Sequence, residues 1–170
     1  MKKIILLFSL IVLIGCKSKK PDTTTEAIPE VVTFVRLTST EVDANLKTKA
    51  YQLGKRILMT CNTSKFKPFN NSEATRSVID NITEEKLSKT CAKFRQRYGD
   101  FKDLKLMQIY KDNETRTTIF RYKALYTKAV ANKELRVYMN DQSQVSAIKS
   151  MDWSDTFERK LFRNTDTDTE

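Results

Sequence analysis

The hydrophobic period of this chain changes once, at Gly99, and that change limits the fold more than any other feature. Ahead of it, apolar residues recur at helical spacing. Leu46, Ala50, Leu53, Ile57 and Cys61 make one stripe, stepping by three or four residues, with Thr38 or Thr40 as the expected N-cap. Gly54 lies beside that stripe and lets another element approach closely. Residues 62–68 break the helix, and Ser72 is expected to open a shorter one ending near Ile82. Thr83 then caps a third helix. Glu84 and Glu85 sit in its first turn and Lys93, Arg95 and Arg97 near its end, as the helix dipole prefers. Its stripe is Leu87, Cys91, Phe94 and Tyr98, and Gly99 stops it.

After Gly99 the period falls to two. Residues 104–111 alternate, Asp112-Asn113-Glu114 turns, and 115–127 form a longer strand with Phe120, Tyr122, Ala124 and Tyr126 on one face. Arg121 and Lys123 fall on the other face beside Ile119 and Leu125. Residues 134–139 put Leu135, Val137 and Met139 together, residues 140–143 turn, and 145–150 make the last strand. Helices first and about four antiparallel strands after them predict an α+β fold.

The N-terminus carries a different signal. Lys2 and Lys3 precede an apolar run over 4–14 interrupted only by Ser9, which ends in Leu13-Ile14-Gly15-Cys16. Eleven helical residues rise about 16 Å, too short for a hydrocarbon core of about 30 Å, so the run reads as a secretion leader. The closing tetrapeptide resembles the bacterial lipobox. That resemblance implies cleavage before Cys16, lipidation of its thiol and acylation of its amino group; two or more acyl chains anchor stably where one does not. The expected organisation is a signal peptide over 1–15, a lipidated cysteine and flexible tether over 16–30, one domain over 31–163, and a disordered polar tail over 164–170. Lys17 is not the aspartate that retains some lipoproteins in the inner membrane, which favours the outer membrane, facing the periplasm.

Loss of Lys2 and Lys3 with the leader would lower the net charge from +10 to +8. Export argues against nucleic acid as the partner of this basic surface and for an anionic envelope surface or an acidic protein. The scattered charges fit a solvated surface equally well. Export also makes Cys61 and Cys91 candidates for one disulfide; the alternative is two separate buried thiols. The chain has no histidine, which excludes Ser-His-Asp and Cys-His catalysis and the usual zinc sites. Three glycines leave no phosphate-binding loop. No cofactor and no metal are expected, and no catalytic set is recognised: Asp100 and Asp103 define no acid–base pair.

The order of elements resembles the cystatin-like side of the nuclear transport factor two-like superfamily. The similarity is carried by Tyr98-Gly99-Asp100-Phe101, by the strand 118–124, and by the closing hairpin of residues 134–138 and 144–148, where Asn140 and Asp141 replace a glycine turn. It implies a curved sheet wrapping a helix around a conical cavity, and sheets that often pair face to face, hence a homodimer as one option. Tyr98, Phe120, Tyr122 and Tyr126 are the candidate pocket residues, or equally an ordinary core edge. Arg121, Lys123 and Arg136 are expected on the outward sheet face, as a basic patch with Arg116 or simply solvated. Two functions are expected of such a chain: a lipid-anchored accessory protein that works as a protein-interaction module, or a carrier of a small ligand.

Overall fold

The computed structural model of the protein describes residues 33–158. Its elements run β1 (Phe34–Leu37), α1 (Ala44–Thr63), α2 (Arg76–Asn81), α3 (Glu84–Tyr98), β2 (Phe101–Asp112), β3 (Thr117–Tyr126), β4 (Lys133–Met139) and β5 (Val145–Asp152). The strands form one antiparallel sheet in the order β1-β2-β3-β4-β5. The α+β class is as expected, but the sheet has five strands where about four were predicted. The additional strand, β1, is four residues long and exists because the far half of β2 offers it a partner, Phe34 to Leu37 facing Asp112 to Ile109. A pairing across more than seventy residues leaves no local period to read.

Helix boundaries shift for identifiable reasons. Asp43, not Thr38 or Thr40, caps α1: its Oδ1 accepts from the Leu46 amide at 2.8 Å. The Glu41 carboxylate has already taken the Thr38 amide and hydroxyl, both at 2.6 Å. Likewise α2 starts at Arg76 and not at Ser72. Asn70 Oδ1 holds the Ser72 and Glu73 amides in a turn, and residues 73–75 are spent on a short parallel bridge to Val145. Thr83 and Gly99 bound α3 as expected. β2 begins three residues early because the Asn62 side chain both donates to and accepts from the Phe101 backbone, standing in for a neighbouring strand.

β2 also carries two bulges, between Phe101 and Asp103 and between Leu106 and Gln108. The second resets the alternation. Leu104 and Leu106 face inward before it, Ile109 after it, while Gln108 and Tyr110 face outward. The inner face packs on α1: Ala50, Leu53 and Ile57 meet Leu104, Phe120, Tyr122, Leu135 and Val137 in one cluster of buried side chains. Each such side chain contributes about 1.5–3 kcal/mol on burial. Cys61 and Cys91 are bonded (S–S 2.08 Å), fastening α3 to α1. Closing a loop of that length stabilises the fold by about 3–4 kcal/mol in the chain-entropy account.

Gly54 is the point of closest approach between helix and sheet. A Cβ there would lie 2.9 Å from Val137 Cγ2 and 3.0 Å from Leu135 Cδ2, both fully buried residues. Gly54→Val should therefore destabilise the protein by about 2–3 kcal/mol through overpacking, seen as a lower urea midpoint. Arg56, on the next turn's edge of α1, grips Glu73 through two hydrogen bonds of 2.8 Å. These bonds, chiefly, hold the Glu73 carboxyl below its ordinary value against the opposing effect of burial. The stability gained is full above the unfolded glutamate's value and is lost as pH falls through the lower folded one. Glu73→Gln should cost about 1–3 kcal/mol at neutral pH and flatten the acid limb of stability measured by urea titration across pH.

Candidate functional site

The outer face of the sheet breaks a rule of strand pairing. Cross-strand partners share a face, and there Arg121 stands opposite Arg136, Arg136 opposite Lys149, and Lys123 opposite Lys105. Like charges placed directly across a ladder repel. The expectation of an outward face for Arg121, Lys123 and Arg136 holds, but that of a solvated patch does not. Arg121 is 0 % exposed and Arg136 3 %, with Glu134, also 0 %, between them. Arg116 does not join them; it sits in the β2–β3 turn, exposed, 3.6 Å from Asp141.

Glu134 is what makes the arrangement tolerable. It lies two residues before Arg136 on β4, hence on the same face, and opposite Lys123. Its Oε2 accepts from Arg121 at 2.6 Å and its Oε1 accepts from Arg136 Nε. Gln108 Oε1 takes a further Arg121 proton at 2.7 Å. Two guanidinium groups and one carboxylate still leave a net positive charge in the cluster.

Residues 153–158 cover it. Leaving the end of β5, this strap crosses the outer face toward β1. The Trp153 ring lies 4.1 Å from the Arg121 guanidinium and the Phe157 ring 4.4 Å from that of Arg136. Phe157 stacks on Tyr110 at 4.1 Å and lies 5.2 Å from Phe34. The strap adds no strand. Its Ser154 carbonyl accepts from Arg121, and its Glu158 carbonyl accepts from Arg136 at 2.9 Å. Asp155 and Glu158 side chains stay exposed. Arg121 Nε has no hydrogen-bond partner among the described residues. Around the cluster Arg36 and Lys105 are exposed and Lys123 and Lys149 half-buried, giving it a basic rim.

The other sequence candidates fall elsewhere. Cys16 lies outside the described residues. Tyr98, Phe120, Tyr122 and Tyr126 fall into two pairs and not one group: Tyr98 lies 5.8 Å from Tyr126 and Phe120 6.4 Å from Tyr122 between ring centres, and Tyr98 is outside the cluster that holds the other three. Phe120 and Tyr122 belong to the packed core. Burial pushes the Tyr126 phenol up to about 12 and that of Tyr122 higher, so both stay neutral. A half-open groove of about 200 Å³ lies apart from them, beside the disulfide, between Thr60, Phe66, Ser88 and Arg95. Among the described residues no histidine, cysteine or acidic cluster could hold a metal, and no helix is long and apolar enough to cross a membrane.

Sequence reasoning missed two groupings. Asp103 accepts from the Tyr51 hydroxyl at 2.6 Å and from Lys55 at 3.0 Å, and the tyrosine first, then the lysine, hold its carboxyl below the usual range. Asp103 shows no such partner in sequence because the contact spans fifty residues. The strap was missed too, although Trp153 and Phe157 stand four apart just beyond the last strand.

Fold and site together define an α+β domain with helices on one face of an antiparallel sheet and a strapped, buried Arg-Glu-Arg cluster on the other. Comparison with protein families, curated proteins and solved structures finds nothing that matches the chain. Removing the one acid would strand two cations in the interior. Glu134→Gln should cost about 3–5 kcal/mol, and the emission of Trp153, the single tryptophan of the chain, should report the loosened strap.

Proposed function

We propose that this protein is lipid-anchored at Cys16 in the bacterial cell envelope, on the outer membrane facing the periplasm, and works as a protein-interaction module. The observation that carries the reading is the division of labour between the sheet faces. The inner one is filled by its own side chains, Phe120 at 0 % and Tyr122 at 1 % exposure, while the outer one concentrates charge that its own strand pairing disfavours. Rules of local consistency are broken chiefly where function requires it. The leader ending in Gly15-Cys16 and the bonded Cys61–Cys91 pair support an exported, oxidising location.

Within the α+β class, the finer reading is a cystatin-like, nuclear transport factor two-like domain. The two bulges of β2 and the seating of α1 on the inner face support it. The chain is read as a binding protein and not an enzyme, since it has no histidine to act at neutral pH.

A second reading, a small-ligand carrier, is favoured by one atom. The Tyr122 hydroxyl is buried on the inner face without a hydrogen-bond partner among the described residues, an uncommon state that a polar occupant would relieve.

Fractionation tests the anchor. Cys16→Ser should move the protein from the membrane pellet to the soluble fraction, and mass spectrometry of the wild type should find an acylated N-terminal Cys16; an unmodified N-terminus upstream of residue 16 would remove the anchor. A photo-crosslinking amino acid tests the interaction. Placed at Lys105 on the outer face it should give a discrete adduct in intact cells that is absent when it is placed at Ser88 on α3. Equal labelling from both positions, or none, would refute an interaction surface on the outer face.

A further inference from the structure

We propose that the outer face beneath residues 153–158 is a binding site for a short, acidic peptide segment of a partner protein, and that the strap is its built-in occupant. The inference rests on the interaction-module reading and names the chemistry of the partner.

The strap itself records what the site accepts. Its contacts repeat at a spacing of four residues: the Trp153 ring and Ser154 carbonyl engage Arg121, and the Phe157 ring and Glu158 carbonyl engage Arg136. A polypeptide that bends between two aromatic side chains four residues apart therefore fits the floor as built. The strap is nevertheless an incomplete partner. It presents neutral carbonyl oxygens to two guanidinium groups that share one carboxylate, and among the described residues Arg121 Nε has no acceptor. Its own acids, Asp155 and Glu158, stay exposed. A peptide presenting a carboxylate in place of a carbonyl would neutralise the surplus charge and replace neutral hydrogen bonds by charge-assisted ones. Lys105, Lys123 and Lys149 surround the floor with the same sign, drawing an acidic segment toward it.

The strap is held to the sheet mainly by these side chains. One backbone bond, from the Trp153 amide to the Asn132 carbonyl at 2.9 Å, marks its start. Displacement thus exchanges like contacts without breaking the strand ladder.

The test uses the full chain purified in detergent and a fluorescein-labelled twelve-residue peptide of Asp and Glu with two phenylalanines four apart. Binding is followed by anisotropy and by Trp153 emission. The acidic peptide should bind and shift that emission to the red as the ring leaves Arg121. Trp153→Ala combined with Phe157→Ala should tighten binding about tenfold, as expected when two cation–π contacts of the competing strap are lost. Lys105→Gln combined with Lys149→Gln, which lowers the rim charge without adding an acid beside Arg136, should weaken it by a similar factor. The inference falls if folded protein with the loosened strap, checked by circular dichroism, does not bind the peptide. It falls equally if the same peptide with lysine for its acids binds as well, or if phosphatidylglycerol vesicles shift Trp153 while the peptide does not. A persistent adduct from Lys105 in cells alongside any of these results would leave an interaction surface standing and remove only the acidic-peptide assignment.

Discussion

The carboxylate of Glu134 stands between two arginines that would otherwise repel each other across the centre of the sheet. Both guanidinium groups are out of water, and at that depth an unpaired charge is costly enough to threaten a domain of this size. The repulsion is offset because this one acid lies on the same face as the bases, two residues from Arg136 and diagonal to Arg121. The strap depends on the same pairing, since its two carbonyls dock on guanidinium groups that Glu134 holds in place.

The two faces of the sheet are consequently built by different physics. On the inner face, burial of apolar area against α1 sets the spacing, and Gly54 lets the helix come close. That contact is forgiving of chemistry and strict about volume. On the outer face three charged groups and two aromatic rings are arranged by direction: Arg121 reaches Gln108, Glu134 and Ser154 with different protons. Such a face is strict about chemistry, because each donor left without its acceptor pays the desolvation penalty alone.

The same contrast decides how much was legible in sequence. Helices α1 and α3 and the inward set Phe120, Tyr122 and Ala124 follow from periods of 3.6 or 2 within one element; the Cys61–Cys91 pairing, which joins two helices, was one of two options, suggested by cysteine count and export. The alternation of β3 and β4 also assigned Arg121, Lys123 and Arg136 to the outward face. What it could not give was the burial of the two arginines, because the cover comes from residues 153–158, beyond the last strand. The strand β1, the Asp103–Tyr51 contact and the bridge from Ala74 to Val145 were hidden for a related reason: each joins segments more than fifty residues apart. The bulge at Leu106–Gln108 shows the limit within a single element, since one inserted residue turned an apparently regular alternation inside out halfway along β2.

The order of the strands along the sheet, identical to their order in the chain from β1 to β5, has a bearing on how the molecule assembles as it emerges from its N-terminal end. Apart from the long return from β1 to β2, each strand finds its neighbour through a short turn, so the sheet can zip up hairpin by hairpin with little entropy lost to loop closure. α1 appears long before β3 and β4, the strands that will cover its apolar stripe. Cys91 follows Cys61 by thirty residues and precedes β2, so the bond that joins α1 to α3 closes a loop holding no strand of the sheet. The strap follows all five strands in the chain, so the arginines of β3 and β4 stay open to water until residues 153–158 dock on them.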